Sequence, residues 1–150
     1  MATVPPAAPP TAMRVTADQR ARIVAHCLAG MPDEACGLLL GPADRYGVPT
    51  GVVAEVAPCR NADASARTYT VDPKDQLRAM RRADDLGLEI VGVWHSHTHT
   101  DAYPSRTDVR QAVDPNWIYV LVGFRHGDPD LRAYRIADAT IHELAVHVTG

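Results

Sequence analysis

Between His95 and Asp108 the chain gathers three histidines (His95, His97, His99), two aspartates (Asp101, Asp108) and Ser105. Imidazole nitrogens and carboxylate oxygens are the donors from which zinc sites are built. His95 and His97 lie two residues apart, just past the apolar run Leu88–Trp94, which reads as a central strand. Side chains at i and i+2 of a strand share a face, with Cα atoms ~6.5–7 Å apart, so both rings can reach one ion at ~2.0–2.1 Å. Two residues compete to complete such a site. His99 falls on the same face if the strand continues, giving an all-histidine set. Asp108 would instead arrive from beyond a loop. Ser105-Arg106-Thr107-Asp108 also matches a helix N-terminus, in which the carboxylate reaches back to the Ser105 amide. The ligand and capping readings of Asp108 are compatible, because a residue in the first turn of that helix faces the incoming loop.

The flanking elements follow from periodicity and punctuation. Met13–Val15 reads as a short strand. Thr16 and Gln19 form a capping-box pattern for a helix running to about Ala29, stopped by Gly30. Ala35–Leu40 is an apolar run bounded by proline and glycine, a buried strand with Glu34 at its mouth. Ala43–Pro49 reads as a turn leading to a hairpin partner at Val52–Val56. Cys59–Ala66 reads as polar loop and Thr68–Val71 as another short strand. Asp72-Pro73 starts a second helix with Leu77, Met80 and Ala83 as its buried stripe, and Gly87 ends it. Ser105 to about Val113 reads as the third helix. Trp117–Phe124, Leu131–Ile136 and Thr140–Val148 read as strands. Three helices and about seven strands in no strict alternation predict an α/β fold with a mostly antiparallel sheet. That mixture argues against an all-β cupin barrel, which would also want a glutamate soon after the histidine pair.

The chain has 150 residues and a net charge of −3, with 46% hydrophobic and 22% charged residues. This fits one soluble domain, expected over residues 13–150, after a proline- and alanine-rich tail at 1–12 expected to be disordered. No basic cluster points to nucleic acid, and no apolar run is long enough for a membrane-spanning helix. The odd cysteine count (Cys27, Cys36, Cys59) and the absence of a signal-peptide pattern predict free thiols and a cytoplasmic location. Cys36, although close to Glu34, reads as a small buried side chain rather than a nucleophile.

Glu34, followed far downstream by His95-Ser96-His97, seven residues, Ser105, two residues and Asp108, resembles the JAMM (MPN+) metalloprotease motif at every position. The segments PDEACGLLLG, DAYPSRTDV, IYVLV and AYRI are similar to the small bacterial members of that family, in particular an actinobacterial subgroup. The resemblance spans Thr16 to about Val146. It implies a sheet with helices on both sides, similar in plan to the cytidine-deaminase fold. It implies one zinc ion (Zn2+) per chain on His95, His97 and Asp108, with Glu34 as general base and Ser105 as donor to the scissile carbonyl oxygen. It demotes His99 and Asp101 to loop or supporting positions. The subgroup implies a substrate: a ubiquitin-like sulfur-carrier protein with a Gly-Gly tail, cleaved after its C-terminal glycine to release cysteine. Other processing of ubiquitin-like proteins, isopeptide cleavage included, is the alternative activity. Non-catalytic scaffold members lack some of these residues, and all five are present here. An extended tail could dock by adding a strand at a sheet edge, with Tyr69 and Tyr103 as candidate channel walls.

Overall fold

The computed structural model describes residues 3–150. Seven strands and three helices alternate irregularly: β1 (Ala12–Thr16), α1 (Ala17–Gly30), β2 (Cys36–Gly41), β3 (Glu55–Cys59), α2 (Pro73–Leu86), β4 (Glu89–His97), α3 (Arg106–Gln111), β5 (Ile118–Gly123), β6 (Asp130–Ala137) and β7 (Thr140–Thr149). The strands form one sheet in the order β1-β7-β6-β5-β4-β2-β3. The β1/β7 and β4/β5 pairs are parallel and the other four antiparallel, so the sheet is mixed but mostly antiparallel, as expected.

Strand alternation sends neighbouring residues of β2 to opposite cores. Leu39 joins Ile23 and Cys27 of α1, together with Val91, Trp94 and Val120. Leu38 and Leu40 join Ala79 and Ala83 of α2, together with Val93 and Tyr119. The helices therefore cover both faces of the sheet. α1 begins with the expected capping box: the Gln19 amide donates to Thr16 Oγ1 at 3.0 Å, and the Thr16 amide to Gln19 Oε1 at 2.9 Å. Asp72 caps α2, and Gly87, left-handed at φ 68°, ends it.

The sheet curls until its two ends meet. The Arg14 amide of β1 donates to the Gly51 carbonyl at 2.8 Å, and the Val53 amide to the Arg14 carbonyl at 3.0 Å. This contact displaces the expected hairpin partner. Val52 bridges to Arg14, and pairing with β2 begins only at Glu55. Thr68–Val71 is not a strand either. It retains one bridge, Asn61 to Val71, and the Asn61 side chain replaces the ladder by accepting from Thr70 N and donating to Thr68 O. The stripe expected on α2 is also shifted. Ala79 and Ala83 face the sheet, a small-residue face that seats the helix close, while Leu77 and Met80 are 46% and 49% exposed. Of the expected tail, residues 1 and 2 lie outside the described residues. Residues 3–11 carry no helix or strand, and they touch the body where Tyr46 Oη donates to Val4 O and Ala7 N to Asp44 Oδ2.

Candidate active site

β4 is an interior strand between β5 and β2, and every residue from Val91 to His97 is buried. Across the parallel β4/β5 pair, His97 faces Gly123. A Cβ on Gly123 would lie 2.9 Å from the Ala102 amide nitrogen, so only glycine lets the loop after His97 fold back over the end of β5. The Tyr134 hydroxyl fastens that loop by donating to the Ala102 carbonyl. The chain bends straight after His97, which takes His99 off the strand and into solvent. The all-histidine alternative ends there, and the loop delivers α3 to the histidine pair.

The side-chain donors of His95, His97 and Asp108 all lie within 4.8 Å of one another. Asp108 Oδ1 is 3.2 Å from His95 Nε2, and Oδ2 is 3.0 Å from His97 Nε2. These contacts are incomplete as hydrogen bonds. His97 Nδ1 lies 2.8 Å from the Asp101 carbonyl oxygen, which can only accept, so Nδ1 carries a proton. In the neutral ring Nε2 is then a bare lone pair aimed at a carboxylate. His95 Nε2 is fully buried and, despite its 3.2 Å approach to Asp108, has no hydrogen-bond partner with acceptable geometry. A His97 lone pair, an unpartnered buried His95 nitrogen and a carboxylate converging in this way form a donor set that fits a cation.

The charge states of the three groups depend on one another. Burial raises the Asp108 carboxyl, but the two histidines that face it and the Ser105 amide outweigh that effect and hold the group well below the usual carboxylate range. Burial drives His95 toward its neutral, ligating form. For His97 burial acts the same way, and Asp108 with the Asp101 carbonyl overrides it to favour the protonated ring. Tyr69 stacks on His95 with ring centroids 4.2 Å apart.

Glu34 and Ser105 share a cleft of about 350 Å³ with His97, Thr98, His99, Thr100, Ala66 and Arg67. Glu34 is only 7% exposed, and burial raises its carboxyl to about 7, with the His97 charge lowering it and Asp108 raising it. Two neighbours fix its backbone directly. Its N–H donates to Ser65 O at 2.8 Å, and its carbonyl accepts from Asn61 Nδ2 at 2.9 Å. The next residue, Ala35, is held by Ser96 twice: the Ala35 amide donates to Ser96 Oγ at 2.9 Å and the Ser96 amide to the Ala35 carbonyl at 3.0 Å. The spacer of the His-x-His pair thus ties the glutamate strand to the histidine strand.

Ser105 caps α3 by accepting from the Asp108 amide at 3.1 Å, while its own amide donates to Asp108 Oδ2 at 2.9 Å. Capping and orientation of Asp108 are one arrangement, and the Ser105 hydroxyl proton stays free to donate into the cleft. Cys36 is buried, its thiol pushed to about 12 by burial, which argues against a nucleophile. His126 is exposed and pairs with the Asp101 carboxylate at 2.8 Å; His142 and His147 lie exposed on β7. Ser96, Asn61 and the Asp101 carbonyl were not singled out by sequence reasoning. Ser96 and Asn61 hold backbone groups of distant segments and Asp101 acts through its own carbonyl, which leaves no signal until the strand register is known.

Comparison with known proteins agrees with this geometry. The family model described as prokaryotic homologs of the JAB domain matches residues 16–137. The chain is 42% identical over 139 residues to the CysO-cysteine peptidase of Mycobacterium tuberculosis, covering 89% of both chains. It is 29% identical to the desampylase of Haloferax volcanii, covering 91% of this chain and 96% of that one. The solution structure of protein DSY2949 from Desulfitobacterium hafniense superposes with a TM-score of 0.80 at 30% identity, over 91% of this chain and 92% of that one. Among the described residues no helix is long and apolar enough to cross a membrane. Motif, buried donor set, fold and relatives converge, and the chain belongs to the prokaryotic JAB (JAMM/MPN+) domain family as a hydrolase of the JAMM type.

Proposed function

We propose that this chain is a cytoplasmic zinc peptidase that cleaves after the C-terminal glycine of a ubiquitin-like sulfur-carrier protein with a Gly-Gly tail and releases cysteine from a carrier–cysteine adduct, a step of cysteine biosynthesis. One observation carries the reading: a donor set of His95, His97 and Asp108 shares its surroundings with a buried Glu34, in a chain 42% identical to a CysO-cysteine peptidase.

Zinc held by these three residues supplies Lewis acidity, acidifying water and polarising the scissile carbonyl. The chain's own residues do the rest. Glu34, a carboxylate raised to about 7, accepts the proton of the attacking water near neutral pH. The water oxygen bonds to the glycine carbonyl carbon, and the C–N bond to cysteine breaks. Glu34 returns the proton to the leaving nitrogen. The Ser105 hydroxyl donates to the carbonyl oxygen as charge develops, a role in which loss of one donor costs ~2.7–4 kcal/mol in other enzymes. Asp101 holds His97 through its carbonyl and fixes which ring nitrogen is free.

The likeness to a desampylase supports a second reading, cleavage of other ubiquitin-like conjugates, isopeptide-linked ones included. The test offers the zinc-loaded enzyme a carrier–cysteine adduct and an isopeptide-linked carrier conjugate side by side. Free cysteine from the first, lost on chelation, supports the proposal. An intact adduct beside a cleaved conjugate hands the assignment to the second reading.

A further inference from the structure

The cleft beside the metal donors contains one side chain with a permanent positive charge, Arg67. It is exposed, and among the described residues it takes part in no ion pair. Its backbone is nonetheless fixed. The Ser65 hydroxyl accepts from the amides of Arg67 at 3.0 Å and Thr68 at 3.3 Å, and the Ala66 carbonyl accepts from Thr98 Oγ1 at 3.4 Å. The Ser65 carbonyl meanwhile accepts from the Glu34 amide at 2.8 Å. One residue therefore anchors both the proton-transferring carboxylate and the free cation.

This arrangement bears on the part of the substrate that departs. Glu34 must reach the leaving nitrogen to protonate it, so the leaving residue occupies the cleft that Glu34 lines. A single released amino acid carries a free α-carboxylate two bonds from that nitrogen. Such an anion gains from a facing cation in addition to the metal, and Arg67 supplies that charge on the wall of the same cleft. An isopeptide-linked lysine presents no carboxylate at that distance. We propose that Arg67 is the specificity residue for the leaving group: its guanidinium binds the free α-carboxylate of the residue released and makes this site selective for removal of a single C-terminal amino acid. The proposal rests on the carrier–amino acid reading above.

The test compares two substrates of the zinc-loaded enzyme, a carrier ending in Gly-Gly-Cys with a free carboxylate and the same carrier ending in cysteinamide. A charge-assisted hydrogen bond predicts that the wild type prefers the free acid in kcat/KM by about ten- to a hundredfold. Arg67→Ala brings the acid-to-amide ratio close to one by losing activity on the acid alone, and Arg67→Lys restores part of the preference. A general structural defect would lower both substrates together and leave the ratio unchanged. Equal wild-type kcat/KM on acid and amide, or equal losses on both in Arg67→Ala, overturns the role of Arg67 and leaves the peptidase assignment intact. Failure of the wild type to cleave either adduct, while it cleaves an isopeptide conjugate, overturns the assignment and the Arg67 role with it.

Discussion

Ser96 offers the sharpest probe of how the glutamate strand is tied to the metal strand. Its hydroxyl accepts from the Ala35 amide, both groups are buried, and Ala35 follows Glu34 directly. In Ser96→Ala the reciprocal bond from the Ser96 amide to the Ala35 carbonyl survives, so the β2/β4 ladder and the fold persist. The Ala35 amide loses its acceptor in a place water does not reach. An orphaned buried donor costs ~1–3 kcal/mol, which in a chain of this size lowers the melting temperature by roughly 2–12 °C. The amide can recover a partner only by moving, and Glu34 moves with it. A shift of about 1 Å in a catalytic group costs on the order of a hundredfold in rate. The expected outcome is a moderate loss in thermal stability, a kcat lowered by about ten- to a hundredfold, and zinc content unchanged by atomic absorption, since no metal donor has been touched. A Ser96→Ala protein with wild-type kcat and melting temperature would show that this bond does not position Glu34. Lost zinc would show that Ser96 acts on the histidines instead.

Further expectations concern the remaining parts of the site. Glu34→Gln keeps zinc at one per chain and lowers kcat by about 10²–10⁴, the usual contribution of a positioned acid–base group; full activity would remove Glu34 from proton transfer. In the metal-free chain the raised Glu34 carboxyl penalises the fold as pH rises from the unfolded value near 4.5 through about 7, because only the folded state resists ionisation. Metal-free Glu34→Gln is therefore more stable than wild type at pH 8, by up to about 3 kcal/mol, and equal to it at pH 4; equal melting curves at both pH values would refute this. Asp108 has the opposite sign: its depressed carboxyl stabilises the metal-free fold above pH ~4 and loses that contribution as pH falls further, so Asp108→Asn flattens the acid limb of a pH titration of stability. Zinc at a thousand times its dissociation constant raises stability by about 4 kcal/mol in the wild type, and Asp108→Ala abolishes that shift in calorimetry. Cys36→Ala, at a buried thiol outside the cleft, retains kcat.

Most of the candidate site is legible in the linear sequence because its parts are local: two histidines on one strand face, and a serine and aspartate in one helix turn. The spacing fits the donor set that folding brings together, and Glu34 joins through the family motif. What is not legible depends on pairing between distant segments. The hairpin partner of β2 slides from Val52 to Glu55 because Gly51–Val53 bonds to Arg14, a residue far upstream. Leu77 and Met80 share a helical period with Ala83, but the sheet receives the alanine face, and helical spacing alone does not say which face docks. Asn61 reads as loop polarity, yet it holds the Glu34 carbonyl and the Thr68 carbonyl at once. His99 matches the strand period, and only the bend after His97 removes it.

The pairing of β1 with β7 has a consequence for how the molecule is made. Ala12 aligns with Ala145 and Thr16 with Thr149, so closing the sheet joins segments at opposite ends of the described chain. Contacts of such long sequence separation form slowly, since the loop between them must be gathered first. A chain leaving the ribosome can assemble β2, β3, β4, α3 and β5, with the metal donors among them, while β1 still lacks its β7 partner. Until β7 emerges, β1 has only its contact with Gly51–Val53, and the α1 side of the core lacks Leu144. The metal donors on β4 and α3 are then in place before the fold is complete, and a metal bound there would tie that strand to that helix while the last strand arrives.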